Sequence, residues 1–315
     1  MKLSEFMRFL VSGSFLPATV ISFLMKHLPF SVKMFLYSIR YNLIMKEINR
    51  PDMKGFERTY LKSKGKKDAH FDFAGAKLPD ITADKHFYGG LCIVFFDTFF
   101  IPCLFNDNYD EEAVKTASKY SSEGSYGYID GNFNVTVKKD DIVIDAGAWI
   151  GDFSAYAASK GAVSYAFEPG SKTFAKLEKT AALNDGKIIA VNKGLGERDC
   201  ELPLYDVQLG SAGFTIINSG KKRQKIIETI KLTSVDKFVE YNNIPHVDFI
   251  KADIEGAERD MLRGATNTLK RFAPKLAICT YHLPDDPETL EKIILEANPR
   301  YKVIQGPAKL YACVY

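Results

Sequence analysis

The run DIVIDAGAWIGDFS, residues 141–154, sets a carboxylate and three small residues where an apolar strand turns into a helix. Small residues at Gly147, Ala148 and Gly151 let the main chain approach a ligand lying across the strand end. The following helix offers unpaired N–H groups and the positive end of its dipole. Ligands of open α/β sheets bind beyond the carboxyl ends of strands, where the strand order switches. Asp145 bears on the ligand's charge. A dinucleotide fingerprint has glycine at this point, so that a pyrophosphate rests against bare backbone. A carboxylate there repels phosphate and suits S-adenosylmethionine, which carries an ammonium and a sulfonium instead.

Glu168 lies 21 residues beyond Gly147, ends the next apolar run and is followed by Pro169. An acid at this spacing can accept both ribose hydroxyls of a nucleoside. Asn192, Lys193 and Gly194 follow the third run, where an adenine edge would rest. Tyr126, just before the first strand, is a candidate lid over the cofactor, with core packing as its other reading. Trp149, inside the loop, completes the expected cofactor contacts.

A second cluster stands at the ends of strands four and five: Asp253 and Glu255 after VDFIKA, and His282 after KLAICTY. Methyl transfer is an in-line displacement, for which alignment supplies up to about 7–11 kcal/mol. Were the acceptor a hydroxyl, as the resemblance given below implies, it would also have to lose its proton, and a positioned base adds about 10²–10⁴-fold. Asp253 is expected to orient the cofactor or the hydroxyl. His282 is the expected base, because an unperturbed imidazole is mostly neutral at pH 7. Glu255 supports either group. Structural readings stand beside these: acids at a helix start are favoured by its dipole, and a histidine can simply close a strand end. Two carboxylates and a histidine also serve Mg²⁺ or Mn²⁺, but the spacing is not diagnostic and no metal ligand is assigned.

The elements that must position these residues are short apolar runs at 142–146, 163–167, 188–191, 247–252 and 275–279. Runs of this length suit parallel strands buried on both faces. Helices are expected over about 171–184, with Ser171 as N-cap and Phe174, Leu177 and Ala181 inward, over about 257–270, and from Asp286 with Pro287 in its first turn. Asn298-Pro299 ends the last. Alternation of this kind implies a doubly wound Rossmann-like sheet of about seven strands. Three strand-like runs over 200–231 predict a β insertion between strands 3 and 4. Runs at 301–305 and 310–315 predict a C-terminal antiparallel hairpin. Residues 1–120, an N-terminal helical and mixed segment, are a candidate substrate cap, and 121–315 form the catalytic domain.

Composition narrows the classes. The chain has 315 residues, 46% hydrophobic and 26% charged, ample for a core. A net charge of +3 makes no case for nucleic acid. The five cysteines form no CxxC pair, which fits a reducing cytoplasm. Phe9 to Met25 is uncharged over 17 residues, interrupted by Gly13 and Pro17. Packed helices are the expectation there, with peripheral membrane contact through residues 9–25 as the alternative. The run 88–105 reads as buried strands, and the lysines of 51–70 as a solvated loop. Lys221, Lys222, Arg223 and Lys225 read as a solvated hairpin tip.

Together, EGSYGYIDG (123–131), DIVIDAGAWIGDFS, YAFEP (165–169), LTSVDKF (232–238), VDFIKADIEGAE (247–258) and AICTYH (277–282) resemble the FkbM-like methyltransferases. The resemblance covers roughly residues 120–315. It implies methyl transfer from S-adenosylmethionine to an oxygen, on sugars or secondary metabolites. IKADIEGAE is the diagnostic run, and the glycine loop is generic. Trp149 departs from the pattern, since the family commonly has asparagine there. A binding protein that keeps the fold without turnover is the competing class, and an NAD-linked oxidoreductase is disfavoured by Asp145. Oligomeric state is not readable.

Overall fold

The computed structural model describes residues 69–73, 75–79, 126–206, 214–216, 225–306 and 308–315. The expected N-terminal helices with residues 9–25, the run 88–105 and the tip residues Lys221, Lys222 and Arg223 lie outside them, as does nearly all of 51–70. Two compact units divide the chain. Met1–Ala74 with Asp80–Ser125 make one, which contains strand β1 (His70–Phe73). Gly75–Pro79 with Tyr126–Tyr315 make the other.

The second unit begins with β2 (Ala76–Pro79) and resumes with the hairpin β3 (Tyr128–Asp130) and β4 (Phe133–Val135). Then come β5 (Ile142–Ala146), α1 (Asp152–Ser159), β6 (Val163–Phe167), α2 (Ser171–Leu183) and β7 (Ile188–Val191). The strand bounds match the apolar runs; β5 is buried almost throughout, whereas the edge strand β7 leaves Ile189 exposed. The β insertion follows as β8 (Gly194–Leu195), β9 (Cys200–Asp206), β10 (Phe214–Thr215) and β11 (Lys225–Thr233). These make a separate sheet in the order β10-β9-β11-β8. The chain ends with α3 (Val235–Tyr241), β12 (Phe249–Ala252), α4 (Glu258–Arg263), α5 (Thr266–Phe272), β13 (Lys275–Cys279), α6 (Asp286–Ala297), β14 (Lys302–Gln305) and β15 (Lys309–Cys313).

The main sheet has seven strands in the order β14-β15-β13-β12-β5-β6-β7. Strands β5, β6, β7, β12 and β13 run parallel, and β15 pairs antiparallel with both β13 and β14. The expected terminal hairpin is therefore part of the sheet. Strand order switches at β5, whose neighbours are the second and fourth parallel strands. Side chains alternate between faces. Ile144, Ala146, Ile250, Ala252, Leu276 and Ile278 pack with Val239, Met261, Leu269 and Leu290 in one apolar cluster. On the opposite face Phe249 meets Phe153 of α1, with ring centroids 5.7 Å apart.

The helix expected over 257–270 is two helices. Gly264 approaches Gly196 so closely that a Cβ would lie 2.2 Å from its carbonyl oxygen. Its own carbonyl accepts the Asp236 N–H. The Asp236 carboxylate then accepts the N–H groups of Asn267 and Thr268 and so caps α5. Ser171 is not the cap of α2 either. Gly170 holds that position, and the N–H and hydroxyl of Ser171 both go to Glu228. Inward on α2 are Thr173, Leu177 and Thr180, with Phe174 and Ala181 half-buried beside them. No helix among the described residues is long and apolar enough to cross a membrane.

Candidate active site

The carboxyl ends of β5, β6 and β12 converge on the loop 147–151. Gly147 has φ 72°, and a Cβ there would sit 2.1 Å from the carbonyl oxygen of Asp253. Gly151 has φ 86° and faces Leu177 and Thr180 at similarly short range. Both positions require glycine. Trp149 also has positive φ, 50°, a conformation a bulky side chain seldom adopts and asparagine adopts more readily. Asparagine, the residue the resemblance leads one to expect at this position, is thus the one the backbone favours here.

Asp145 differs from its expected role. It is fully buried, with Oδ2 accepting the Ser154 hydroxyl at 2.7 Å and Oδ1 lying 3.1 Å from Lys251 Nζ. Ser164 extends the chain to Ser154 at 2.8 Å. The charge that was to repel phosphate is therefore compensated inside the sheet. Lys251 stands opposite Asp145 in the β12–β5 register, and its ammonium also donates to the Gly147 carbonyl at 2.7 Å. Burial works against that charge, but Asp145 and Asp253 hold the proton firmly and raise its pKa. Sequence reasoning missed Lys251. The signal was a lysine in the middle of an otherwise apolar strand, but its partner depends on register.

Glu168 is the acid at the crevice. Burial pushes its pKa up to about 8, against the pull of the Gly170 and Trp149 N–H groups and of Lys251. Oε1 accepts the Gly170 N–H at 2.8 Å. Asn192 ties this turn down by donating to the carbonyls of Glu168 and Pro169. Gly194 has a packing reason of its own: a Cβ would meet Leu232 at 2.4 Å. The Ala148 N–H is bonded to the Phe167 carbonyl, which fastens the loop to β6.

Tyr126 is buried, with its ring edge on Phe153 and the ammonium groups of Lys309 and Lys251 at 4.5 and 5.4 Å from its centroid. Its hydroxyl donates to Asp253 Oδ2 at 3.1 Å, and the Tyr281 hydroxyl donates to Oδ1 at 2.8 Å. Packing and polar contact thus coexist at Tyr126. Burial pulls the Asp253 pKa up, but Lys251, Lys309 and His282 hold it below the ordinary value.

Asp253, Glu255 and His282 do come together. His282 Nε2 lies 3.5 Å from Asp253 Oδ1 and 3.6 Å from Glu255 Oε2, and Nδ1 lies 3.1 Å from Glu258 Oε1. Burial opposes the imidazolium, but Glu258, Asp253 and Glu255 outweigh it and raise its pKa to about 9. The expectation of a mostly neutral imidazole is corrected: three acids around one ring keep it protonated at pH 7. Burial raises Glu255 to about 7 against the pull of His282. Glu258 is fully buried and accepts the N–H groups of Ile254 and Gly256, which closes the turn after β12. The loop bearing His282 is held by Asp286, which accepts the Leu283 N–H and pairs with Arg259 of α4.

Residues 145–301 match the family of the methyltransferase FkbM domain. The hexuronic acid methyltransferase AglP of Haloferax volcanii is 28% identical over 161 residues, 51% of this chain and 64% of its own. Methyltransferase 1 of Beauveria bassiana is 30% identical over 158 residues, 44% of this chain and 64% of its own. Among solved structures, a methyltransferase FkbM from Methylobacillus flagellatus is 24% identical, with a TM-score of 0.43 over 55% of this chain and 43% of that one. The chain therefore spans less than two thirds of the length of these relatives.

Proposed function

We propose, from the match of residues 145–301 to the methyltransferase FkbM domain, an S-adenosylmethionine-dependent methyltransferase acting on a hydroxyl of a sugar, glycan or small metabolite. The observation that carries the reading is the crevice at the switch in strand order, floored by Gly147 and walled by Glu168 and Asp253. Gly147 lies so close to the Asp253 carbonyl that no side chain fits between the two strand ends, and Glu168 is a buried acid bonded to the same loop. These features fit an uncharged nucleoside ribose. S-adenosylmethionine held there supplies a methyl group on a sulfonium.

Glu168 accepts the ribose hydroxyls, and Asn192 and the Trp149 N–H keep its turn in place. Asp253, fixed by two tyrosine hydroxyls, orients the polar groups at the reacting end. The base is Glu255 on geometric grounds. Its side chain is 32% exposed, whereas His282 is enclosed and Glu258 is locked by two backbone N–H groups. Glu255 takes the proton of the acceptor hydroxyl as the new oxygen–carbon bond forms. A sugar acceptor is supported by the relative named for hexuronic acid. Incubation with labelled methyl donor and a panel of sugars and glycans tests this. Label in a sugar product supports it, and no transfer to any acceptor while the donor binds would favour the non-catalytic reading.

A further inference from the structure

One carboxylate oxygen of Asp253, one of Glu258 and one ring nitrogen of His282 lie within 4.8 Å of one another. The short approaches are to opposite ring nitrogens, 3.1 Å from Nδ1 to Glu258 and 3.5 Å from Nε2 to Asp253, so a single ligating nitrogen makes one of them and lies farther from the other acid, within the 4.8 Å. Neighbouring ligands of a small octahedral cation, with bonds of about 2.1 Å, stand about 3.0 Å apart. Modest contraction of this cluster would close it around an ion. Acids often gather without a metal, so proximity alone decides nothing. The second observation is His282 itself. Its side chain is only 7% exposed, and although three acids pair with it electrostatically, neither ring nitrogen makes a hydrogen bond of good geometry. Buried polar atoms are almost always satisfied, and an exception needs a reason.

We infer that Asp253, Glu258 and His282 form a binding site for a divalent cation of the Mn²⁺ class. Two hard carboxylates with one imidazole suit Mn²⁺, with Mg²⁺ and Zn²⁺ as the nearest competitors. The surroundings have the character of an outer shell that fixes ligands. Tyr126 and Tyr281 hold Asp253, the Ile254 and Gly256 N–H groups hold Glu258, and Asp286 holds the His282 loop. Glu255, half-exposed and 3.6 Å from Nε2, lines the open side and leaves room there for a water or an acceptor oxygen. A cation so placed would polarise that oxygen under the proposed methyl transfer, but the site itself does not rest on that reading.

The test is a Mn²⁺ titration of the full chain without methyl donor, read as the loss of the free-ion electron paramagnetic resonance signal. One saturable site is expected. Asp253→Asn and His282→Asn should each weaken it by roughly 10-fold or more, as loss of even outer-shell partners does elsewhere. Glu291→Gln, on α6, should leave it unchanged. Circular dichroism checks that each variant folds. Should both site variants fail to fold, anomalous scattering from wild-type crystals soaked in Mn²⁺ decides, with a peak among the three side chains expected. No saturable binding at millimolar Mn²⁺, binding unchanged in both folded site variants, or a peak elsewhere would overturn the inference. Since no methyl donor is present, such a failure leaves the proposed activity standing.

Discussion

Glu168 couples its own protonation to stability. Its folded pKa of about 8 lies above the ordinary carboxylate value, so the folded chain holds a proton that the unfolded chain releases earlier. Stability is therefore lost as pH rises from the ordinary carboxylate range through about 8. Glu168→Gln removes that penalty. Its melting temperature should exceed the wild type's by a margin that grows between mildly acidic and mildly alkaline buffer, as scanning calorimetry would show. A constant margin would mean that the carboxyl does not titrate with folding. Glu255→Gln should lower kcat by about 10²–10⁴-fold and leave donor binding alone, because a base acts on the acceptor side. Trp149→Asn should keep donor affinity within a few-fold, since it is the main-chain N–H of residue 149 that reaches Glu168. The placement of Gly147 in the turn after β5 and of Glu168 at the end of β6 was legible from residue type and spacing. The state of His282 was not, because Glu258 and Asp253 meet it only after the chain folds.

Between elements, the Asp145–Lys251 pair joins β5 to β12 beneath the loop. Removing one partner leaves an uncompensated buried charge, at about 3–5 kcal/mol, while replacing both is far milder. Lys251→Met should therefore be strongly destabilising in urea unfolding, and Asp145→Ala/Lys251→Met together should recover part of the loss. Additive losses would show that the two groups are not coupled. The break between α4 and α5 has a similar origin. Asp236→Ala should cost about 1–2 kcal/mol by uncapping α5, measurable by the same unfolding. Periodicity ran straight through Gly264 because the residues that interrupt the helix, Gly196 and Asp236, come from other elements. Strands β5 and β13 could be read to the residue because burial on both faces writes an unbroken apolar run, and β6 and β7 from apolar runs that are only partly covered.

At the scale of the molecule, the sheet order follows from alternation and right-handed crossovers, and the antiparallel β15 from a hairpin signal at the chain end. That order puts Gly147, Glu168 and Asp253 around one crevice though they are distant in sequence. Asp145, the carboxylate expected to repel phosphate, forms a buried ion pair with Lys251, so the donor recognition we propose rests on Glu168 and the glycine backbone. Calorimetric titration of S-adenosylmethionine into the wild-type chain and Glu168→Gln tests this most directly. One equivalent should bind to the wild type, with affinity reduced roughly 10–100-fold in the variant, the worth of two ribose hydrogen bonds. Absence of heat at millimolar donor, or equal affinity in the two proteins, would contradict it.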